Sequence, residues 1–214
     1  MPTPRIGLVT VTGFCCLVGC AATEKTPTAA PDTGQVARNA WGEPVEVTPP
    51  TWCDELEVET LEEYWPEGGL MAQQHVVQDT NGEPTPHGLT TYWWESGQKK
   101  LEVPFHCGVK HGRRLAWHRD GMDWSVGEYV NGMEHGVWTQ WYPGGTKAQE
   151  FTMVYGVWQG AHTRWHQNGR KKMETRYVNG LRQGPLVFWD DVGNVLARID
   201  FVDGVEQPSP AVRP

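Results

Sequence analysis

Three histidines of this 214-residue chain are spaced as if they could share a chemical task. His87, His111 and His135 are 24 residues apart, and Gln159 and Gln183 continue the series. If these side chains bound metal ions, they would form a column of metal sites. Zinc binds imidazole nitrogens at about 2.0–2.1 Å, so two ligands must meet within about 4 Å. Equivalent positions of stacked two-stranded units are about 9.5 Å apart. We therefore predict hydrogen-bonding turn residues here, and neither a metal site nor a cofactor.

The sequence carries no motif that would supply another catalytic chemistry. A Gly-x-Ser-x-Gly elbow, a His-Glu-x-x-His helix and a phosphate-binding Gly-x-x-x-x-Gly-Lys loop are all absent. An extended surface seldom dehydrates carboxylates enough to shift their pKa values for acid–base work. We expect the protein not to be an enzyme.

The elements that must position these side chains recur every 24 residues. Three glycine columns begin at Gly88, Gly97 and Gly108, and each contains five members. A tryptophan column keeps the same interval. Its members are Trp93, Trp117, Trp141, Trp165 and Trp189. A fixed period of this length predicts one small supersecondary unit stacked several times.

Each unit is predicted to be a β-hairpin. Asp120-Gly121 and Asn131-Gly132 stand at the two turns of one repeat, and such pairs favour turns in which both central residues have positive φ. About eight residues separate consecutive turns, which is a typical strand length. Apolar and charged residues alternate along the second strand, as expected for a half-buried antiparallel sheet.

One face of that sheet is predicted to hold the core. Val103 and Phe151 lie in its apolar columns, whereas Glu102 and Glu150 lie in the intervening, charged column. We assign the tryptophan column, together with Leu115, to the apolar face, as the structural core of the repeat.

The repeated segment Tyr-Val-Asn-Gly-x-x-His/Gln-Gly, at residues 129–136 and 177–184, resembles the MORN repeat, and specifically its bacterial variant. The resemblance implies an all-β, elongated and twisted single-layer antiparallel strip of stacked β-hairpins. A degenerate cap in the acidic segment 52–86 would precede five MORN-like repeats. The repeats are 87–110, 111–134, 135–158, 159–182 and 183–206. At two strand spacings per unit, they would extend about 50 Å.

The N-terminal segment resembles the leader of a bacterial lipoprotein. Residues 17–20, Leu-Val-Gly-Cys, have the form of a lipobox, and the twelve uncharged residues before Gly19 are too few for a membrane span of about 20. We predict that 1–19 is a cleaved signal peptide and that Cys20 carries a lipid. An ordinary signal peptide, or a short anchor with buried cysteines, is the alternative. Ala21 resembles outer-membrane sorting, which implies the periplasmic face of that membrane.

Two further segments are predicted to be disordered, the Ala-, Thr- and Pro-rich tether 20–51 and the tail 207–214. Cys53 and Cys107 would be the unmodified cysteines of the processed chain. In an oxidising compartment we hypothesise a disulfide between them, clipping the pre-repeat segment to the first repeat. Two unpaired thiols would fit the sequence equally well.

Charge argues against a nucleic-acid partner. Residues 21–86 contain 13 acidic and two basic residues, whereas residues 87–206 contain 13 acidic and 14 basic ones, and the chain has a net charge of −8. Nucleic acids require a basic footprint, which this balance does not provide.

We predict a membrane-anchored scaffold at the bacterial envelope that binds a protein partner. Proteins with MORN-like repeats act mostly in protein or membrane-proximal assembly. The candidate binding surface is Trp94, Trp138, Tyr142 and Trp158, because exposed aromatic side chains often anchor interfaces. Coplanar rings spaced like sugar units would instead favour a glycan or peptidoglycan ligand. The third alternative is an antitoxin or immunity role; many bacterial relatives are labelled antitoxins, although a cytoplasmic antitoxin would not need a lipobox.

Overall fold

The computed structural model describes residues 5–9 and 50–208, and its strands form one open antiparallel sheet. Within these two stretches there is no helix, and so none of the length and apolar character needed to cross a membrane. Strands that contact each other extensively are neighbours in the sheet, so the sheet has a single layer. The predicted all-β hairpin strip is confirmed. Cys20 and nearly all of the predicted tether lie outside the described residues.

Three strands precede the regular repeats. They are β1 (Arg5–Val9), β2 (Glu59–Tyr64) and β3 (Leu70–Gln78). β2 and β3 form a hairpin whose turn is closed by a hydrogen bond from the Trp65 N–H to the Gly69 carbonyl oxygen, at 3.0 Å. The segment predicted as a degenerate cap therefore contains a complete two-stranded unit. β1 pairs with the outer edge of β2, although residues 5–9 lie within the predicted signal peptide.

The five repeats each supply a long hairpin. The strands are β4 (Pro84–Trp93), β5 (Lys99–His106), β6 (Val109–Lys110), β7 (Gly112–Trp117), β8 (Asp123–Val130), β9 (Met133–Trp141), β10 (Lys147–Val154), β11 (Val157–Trp165), β12 (Lys171–Val178), β13 (Leu181–Arg182), β14 (Gly184–Trp189), β15 (Val195–Val202) and β16 (Val205–Glu206). β6 and β13 are short stretches before the kinks at residues 111 and 183, where the strand is interrupted.

The two turns of the repeat differ in geometry. At the turn that joins one long hairpin to the next, both central residues have positive φ, as at Cys107 (46°) and Gly108 (82°), which is the expected type I′ turn. At the turn inside each long hairpin, only the second residue has positive φ in four repeats, as at Gly97 (83°), whereas in repeat three both Gly144 (95°) and Gly145 (84°) do. There the Gly97 N–H donates to the Trp94 carbonyl oxygen at 2.8 Å, forming a type I turn with a glycine bulge. The prediction of two positive-φ residues at this second turn was therefore wrong in four repeats and correct in repeat three.

The two faces of the sheet differ in chemistry. We call the face with the buried residues the apolar face and the other the charged face. Buried residues of the apolar face are Val103, Trp138, Phe151, Met153, Met173, Leu186 and Phe201. Three ion pairs recur on the charged face. They are Lys99–Glu102 (2.5 Å), Lys147–Glu150 (2.6 Å) and Lys171–Glu174 (2.7 Å). The predicted alternation along the second strand is thus present.

The tryptophan column lies on the charged face, which corrects the sequence-based assignment. Leu115 is directly opposite Glu102, and residues that face each other across a ladder point the same way. Trp117 follows two residues later, and the Lys99 ammonium lies 6.0 Å from the centre of its ring. The column is half-buried beneath lysine side chains. The predicted period of the column is correct. A β-bulge between residues 116 and 117 shifts the pairing of the two strands, so the sequence alone does not show which face the column lies on.

A central row of side chains crosses the apolar face. Its members are directly opposite one another from strand to strand. The pairs are Thr90 with Val103, Arg114 with Gly127, Trp138 with Phe151, His162 with Thr175, and Leu186 with Ile199. Large residues alternate with small ones along part of this row, so a single-layer sheet can close-pack its own surface.

Candidate functional site

The histidine and glutamine column ties each repeat to a turn. In four repeats its side chain accepts a hydrogen bond from the backbone N–H that lies 20 residues later, at the first residue of the type I′ turn. The bonds run from Cys107 to His87 Nδ1 (3.4 Å), Asn131 to His111 Nδ1 (3.5 Å), Asn179 to Gln159 Oε1 (2.7 Å) and Asp203 to Gln183 Oε1 (2.8 Å). This is the hydrogen-bonding turn role that the sequence predicts. His135 differs, because its Nδ1 is buried with no such donor.

A second column of side chains makes the opposite kind of bond. Its side chains donate to the backbone carbonyl oxygen of a tryptophan in the next repeat. The bonds are His118 Nε2 to Trp141 (2.9 Å), the Tyr142 hydroxyl to Trp165 (2.9 Å) and His166 Nε2 to Trp189 (3.0 Å). These two histidines must therefore carry a proton on Nε2, whereas Nδ1 of His87 must be unprotonated. Burial, and then the neighbouring His106, lower the pKa of His87.

Two of the four predicted binding aromatics belong to the core. Trp138 is only 3% exposed and stacks on Phe151, with ring centres 6.3 Å apart. Trp158 is half-buried, and its ring lies 4.8 Å from the same Phe151 ring. The prediction that Trp138 is a surface anchor was wrong, because position 138 faces the apolar side of the sheet. Exposure of either ring to a ligand would require the core to open.

The other two aromatics are engaged at the turns. The Trp94 ring lies between two cations, with the Lys100 Nζ at 4.6 Å and the Arg119 guanidinium at 4.8 Å from its centre. Tyr142 uses its hydroxyl in the bond to Trp165. The four predicted residues therefore do not form one surface, and they do not present coplanar rings along a groove.

A different aromatic residue is exposed beside the central repeats. Trp124 is 43% exposed and borders a shallow depression of about 280 Å³, together with Tyr142, Gln140, Gln149 and Arg164. The depression is open to solvent and has amide and guanidinium groups on its floor. It offers contact area but no enclosed volume in which reacting groups could be dehydrated.

One half-buried histidine of the apolar face has ring nitrogens that are shielded from solvent and lack a polar partner. Both ring nitrogens of His162 lack a hydrogen bond, and its ring lies 4.9 Å from that of Trp158 and 5.8 Å from that of Phe151. Burial, followed by the charges of Arg164 and Arg182, lowers the pKa of His162 to about 4. The imidazole is therefore neutral in the folded protein at neutral pH.

His162 should make the protein acid-labile. Its pKa is depressed from 6.5 to about 4, so below pH 6.5 the unfolded chain takes up a proton that the folded chain does not. Stability should be complete above pH 6.5 and fall by about 1–2 kcal/mol towards pH 4, after allowance for partial solvent access. His162→Phe should remove most of this slope, whereas His166→Asn should keep it. Urea unfolding at a series of pH values measures the slope, and an unchanged slope in His162→Phe would refute the assignment.

Cysteine and histidine side chains meet where the pre-repeat segment reaches the first repeat. The structure contains the hypothesised disulfide between Cys53 and Cys107, whose Cα atoms are 5.5 Å apart. The pair is buried against Val77 in a small core cluster of its own. The Nδ1 atom of His87 lies 2.9 Å from the Cys53 sulfur.

His106 completes this junction, and sequence reasoning missed it. Its Nε2 lies 3.1 Å from the Asp54 carboxylate, yet the two groups lack the alignment of a hydrogen bond. The signal was available in the repeat itself. The equivalent position of every later repeat is valine, at Val130, Val154, Val178 and Val202.

The two ends of the sheet are open in different ways. β2 takes the backbone of β1 as an antiparallel neighbour, from Arg5 opposite Tyr64 to Val9 opposite Thr60. At the other end, β15 pairs with only two residues of β16, and the flanking Leu196 is 67% exposed. An Arg198–Asp200 ion pair of 3.1 Å lies on this second edge, and charges there discourage pairing with another strand.

Residues 86–106 match the family described as MORN repeat variant. This one hairpin of the chain is similar to the MORN repeat variant. The matched residues comprise the greater part of β4, the turn at Gly97 and all of β5. No curated protein matches the chain at a significant level of similarity.

The four later units share the backbone bonds of the matched MORN-variant hairpin. In each repeat the glycine of the type I′ turn donates its N–H to a carbonyl oxygen 22 residues earlier. The donors are Gly108, Gly132, Gly156, Gly180 and Gly204. This backbone bond therefore recurs in all five repeats.

Proposed function

We propose that the protein is a non-enzymatic, lipid-anchored scaffold of the bacterial envelope, and that it binds an extended segment of a protein partner at the β2 edge of its sheet. One observation carries the proposal. The β2 edge accepts an extended backbone, that of β1, over five consecutive residue pairs. An edge that can hold a strand is a template for strand addition by another chain.

Processing would make this edge available. If the signal peptide is removed before Cys20, residues 5–9 leave with it, and the β2 backbone groups that paired with them are exposed. Each unpaired N–H and C=O group then gains by pairing with an incoming strand. A lipid on Cys20 and the tether that follows would hold the open edge close to the membrane surface.

The charge of the edge indicates what kind of segment would bind. β2 contains Glu59, Glu62 and Glu63 in six residues, and no lysine or arginine lies between Cys53 and Pro86. The Glu62 carboxylate is held by hydrogen bonds from Tyr64 and Gln73, at 2.5 and 2.9 Å, and these bonds lower its pKa. An acidic strand favours a basic partner, through steering and through suppression of wrong partners.

The aromatic side chains do not favour the glycan alternative. Stacking on sugars requires exposed rings arranged along a path, whereas Trp138 and Trp158 pack in the core and Trp94 lies between cations. The immunity alternative is a special case of the present proposal, in which the partner is an exported toxin.

Site-specific photocross-linking in intact cells tests the proposal. A benzophenone side chain in place of Thr60 should yield a cross-linked protein neighbour, and one in place of Val192 at the far end should not. Glu59→Lys with Glu63→Lys should reduce the Thr60 cross-link about tenfold, which corresponds to about 1.4 kcal/mol. Asp191→Lys with Glu206→Lys, which makes the same charge change elsewhere, should leave it unaltered.

Two outcomes would contradict the proposal. One is a Thr60 cross-link whose yield is unchanged by Glu59→Lys with Glu63→Lys. The other is the absence of any protein adduct, together with saturable binding to isolated peptidoglycan, which would return the function to the glycan alternative.

A further inference from the structure

Four metal-ligating side chains converge at the junction between the pre-repeat segment and the first repeat. One ligand atom from each of Cys53, His87, His106 and Cys107 lies within 4.8 Å of all the others. Both cysteines are buried and both histidines are half-buried. The two histidine rings are 5.1 Å apart, centre to centre. We propose that, when the Cys53–Cys107 disulfide is reduced, these four side chains bind one zinc ion.

The donor set is one that zinc prefers. Two thiolates and two imidazoles form a four-coordinate tetrahedral site, with Zn–S bonds of about 2.3 Å and Zn–N bonds of about 2.0–2.1 Å. Ligand atoms around such an ion are about 3.3–3.8 Å apart. The four observed atoms lie within 4.8 Å of one another, so small side-chain movements, with separation of the two sulfurs, would form the site. Two thiolates also neutralise the double charge of the ion, so the buried site would carry no net charge.

The disulfide and the metal are alternative closures of the same junction. In a tetrahedral site the two sulfur atoms are about 3.8 Å apart, so they cannot be bonded to each other. A dithiol reductant opens the bond by giving two electrons and two protons, and it becomes a disulfide itself. The two protein thiols then release their protons as they bind the ion.

Departures from the repeat pattern fall at this cluster. Cys107 occupies the turn position that holds Asn131 and Asn179 in other repeats. His106 occupies the position that is valine in all four later repeats. A disulfide requires the change at 107 but gives no reason for a histidine at 106. A metal site requires both.

The present contacts of His87 and His106 would allow both side chains to become metal ligands. The Nδ1 atom of His87 faces the Cys53 sulfur at 2.9 Å, and its hydrogen bond from the Cys107 N–H is long, at 3.4 Å. His106 has an Nε2 atom that is buried without a hydrogen bond, beside the Asp54 carboxylate. With Nδ1 of His106 on the ion, the Asp54 carboxylate beside Nε2 would orient the imidazole and increase its basicity.

Cobalt(II) titration of the reduced, full-length chain tests the proposal. Cys15, Cys16 and Cys20 are replaced by serine, so that only the junction thiols can respond. A phosphine reductant opens the disulfide and becomes its oxide by taking oxygen from water. We expect thiolate-to-cobalt charge-transfer bands and the d–d bands of a tetrahedral ion, with one ion per chain, and loss of these bands when zinc is added.

Matched variants separate a built site from thiols that merely bind metal. His106→Val introduces the residue of the later repeats, leaves both cysteines in place, and should weaken cobalt binding by at least about tenfold. His111→Gln introduces the residue of repeats four and five at an equivalent turn, and should leave binding unchanged. The Cys53→Ser, Cys107→Ser double variant should lose the charge-transfer bands.

Three results would overturn the proposal. The first is unaltered cobalt affinity in His106→Val, which would show that the thiols act alone. The second is a reduced chain that keeps its β-sheet circular dichroism but binds cobalt no better than the double cysteine variant. The third is a reduced chain that loses its sheet and fails to bind cobalt.

Discussion

Gly127→Ala is expected to lower the free energy of unfolding by about 3 kcal/mol, although it adds a single methyl group. A Cβ atom at this position would lie 2.2 Å from the Cδ2 atom of Trp138, well inside any permitted contact. The ring cannot yield easily, because Phe151 stacks on it and Tyr129 packs against its edge. Urea unfolding, followed by tryptophan fluorescence, measures the loss.

A double-mutant cycle identifies the cause of this effect. In a Trp138→Leu background, Gly127→Ala should cost less than about 1 kcal/mol, because the ring that it would strike is gone. Thr175→Val is the control, because position 175 is equivalent to position 127 two repeats later. This change should be neutral or stabilising, since the Thr175 hydroxyl is buried without a partner. Additive costs for the Gly127 and Trp138 changes would contradict the account of the central row.

Loss of the Cys53–Cys107 disulfide is expected to destabilise the oxidised protein by about 2–4 kcal/mol. The bond spans 54 residues of sequence, so its removal frees a long loop in the unfolded chain. Cys53 is fully buried against Val77, and the neighbouring Trp52 is 46% exposed, so little else anchors the segment around residue 53. Unfolding of the Cys53→Ser, Cys107→Ser double variant in metal-free urea measures this loss.

The residue chosen at position 107 should modify that loss. Cys107 has a φ of 46°, a conformation that asparagine tolerates better than most residues do. Cys53→Ser with Cys107→Asn should therefore be about 1 kcal/mol more stable than the double serine variant, although both lack the disulfide. Equal stability of the two variants would show that the turn imposes no such preference.

Much of the fold follows from the sequence, because its determinants are local and repeated. The glycine columns mark turns, and alternation within the second strand, as at Glu102 and Val103, separates the two faces. Each of these features needs only a few neighbouring residues to be recognised. The disulfide hypothesis came from a count, because Cys53 and Cys107 are the unmodified cysteines of the predicted processed chain.

The errors arose where the phase of a strand depends on backbone irregularity. A β-bulge lies between Ala116 and Trp117, and it shifts the register by one residue. Alternation counted through such a position assigns a side chain to the wrong face, as it did for the tryptophan column. Trp138 was misjudged for a different reason. Its column also holds Thr90, Arg114 and His162, so composition gave no sign of burial.

The candidate sites depended on contacts that no local pattern reports. His106 lies one residue from Cys107 in sequence, but its meeting with Asp54 and His87 is set by the path of the pre-repeat segment. The β2 edge likewise depends on a contact between residues far apart in sequence, the pairing of β2 with β1. Comparison of repeats with one another would have identified His106, since it departs from a valine column.

Amide hydrogen exchange is the most direct test of the central claim that the β2 edge binds an extended segment. The chain beginning at residue 20, with Cys20→Ser, is compared with and without a peptide of residues 3–11. About half of the β2 amides should exchange rapidly alone and slowly with the peptide, because alternate residues face the free edge. A peptide with Ile6→Pro and Leu8→Pro should not protect them, and the β15 amides should not respond. Exchange in β2 that is the same with and without the peptide would contradict the claim.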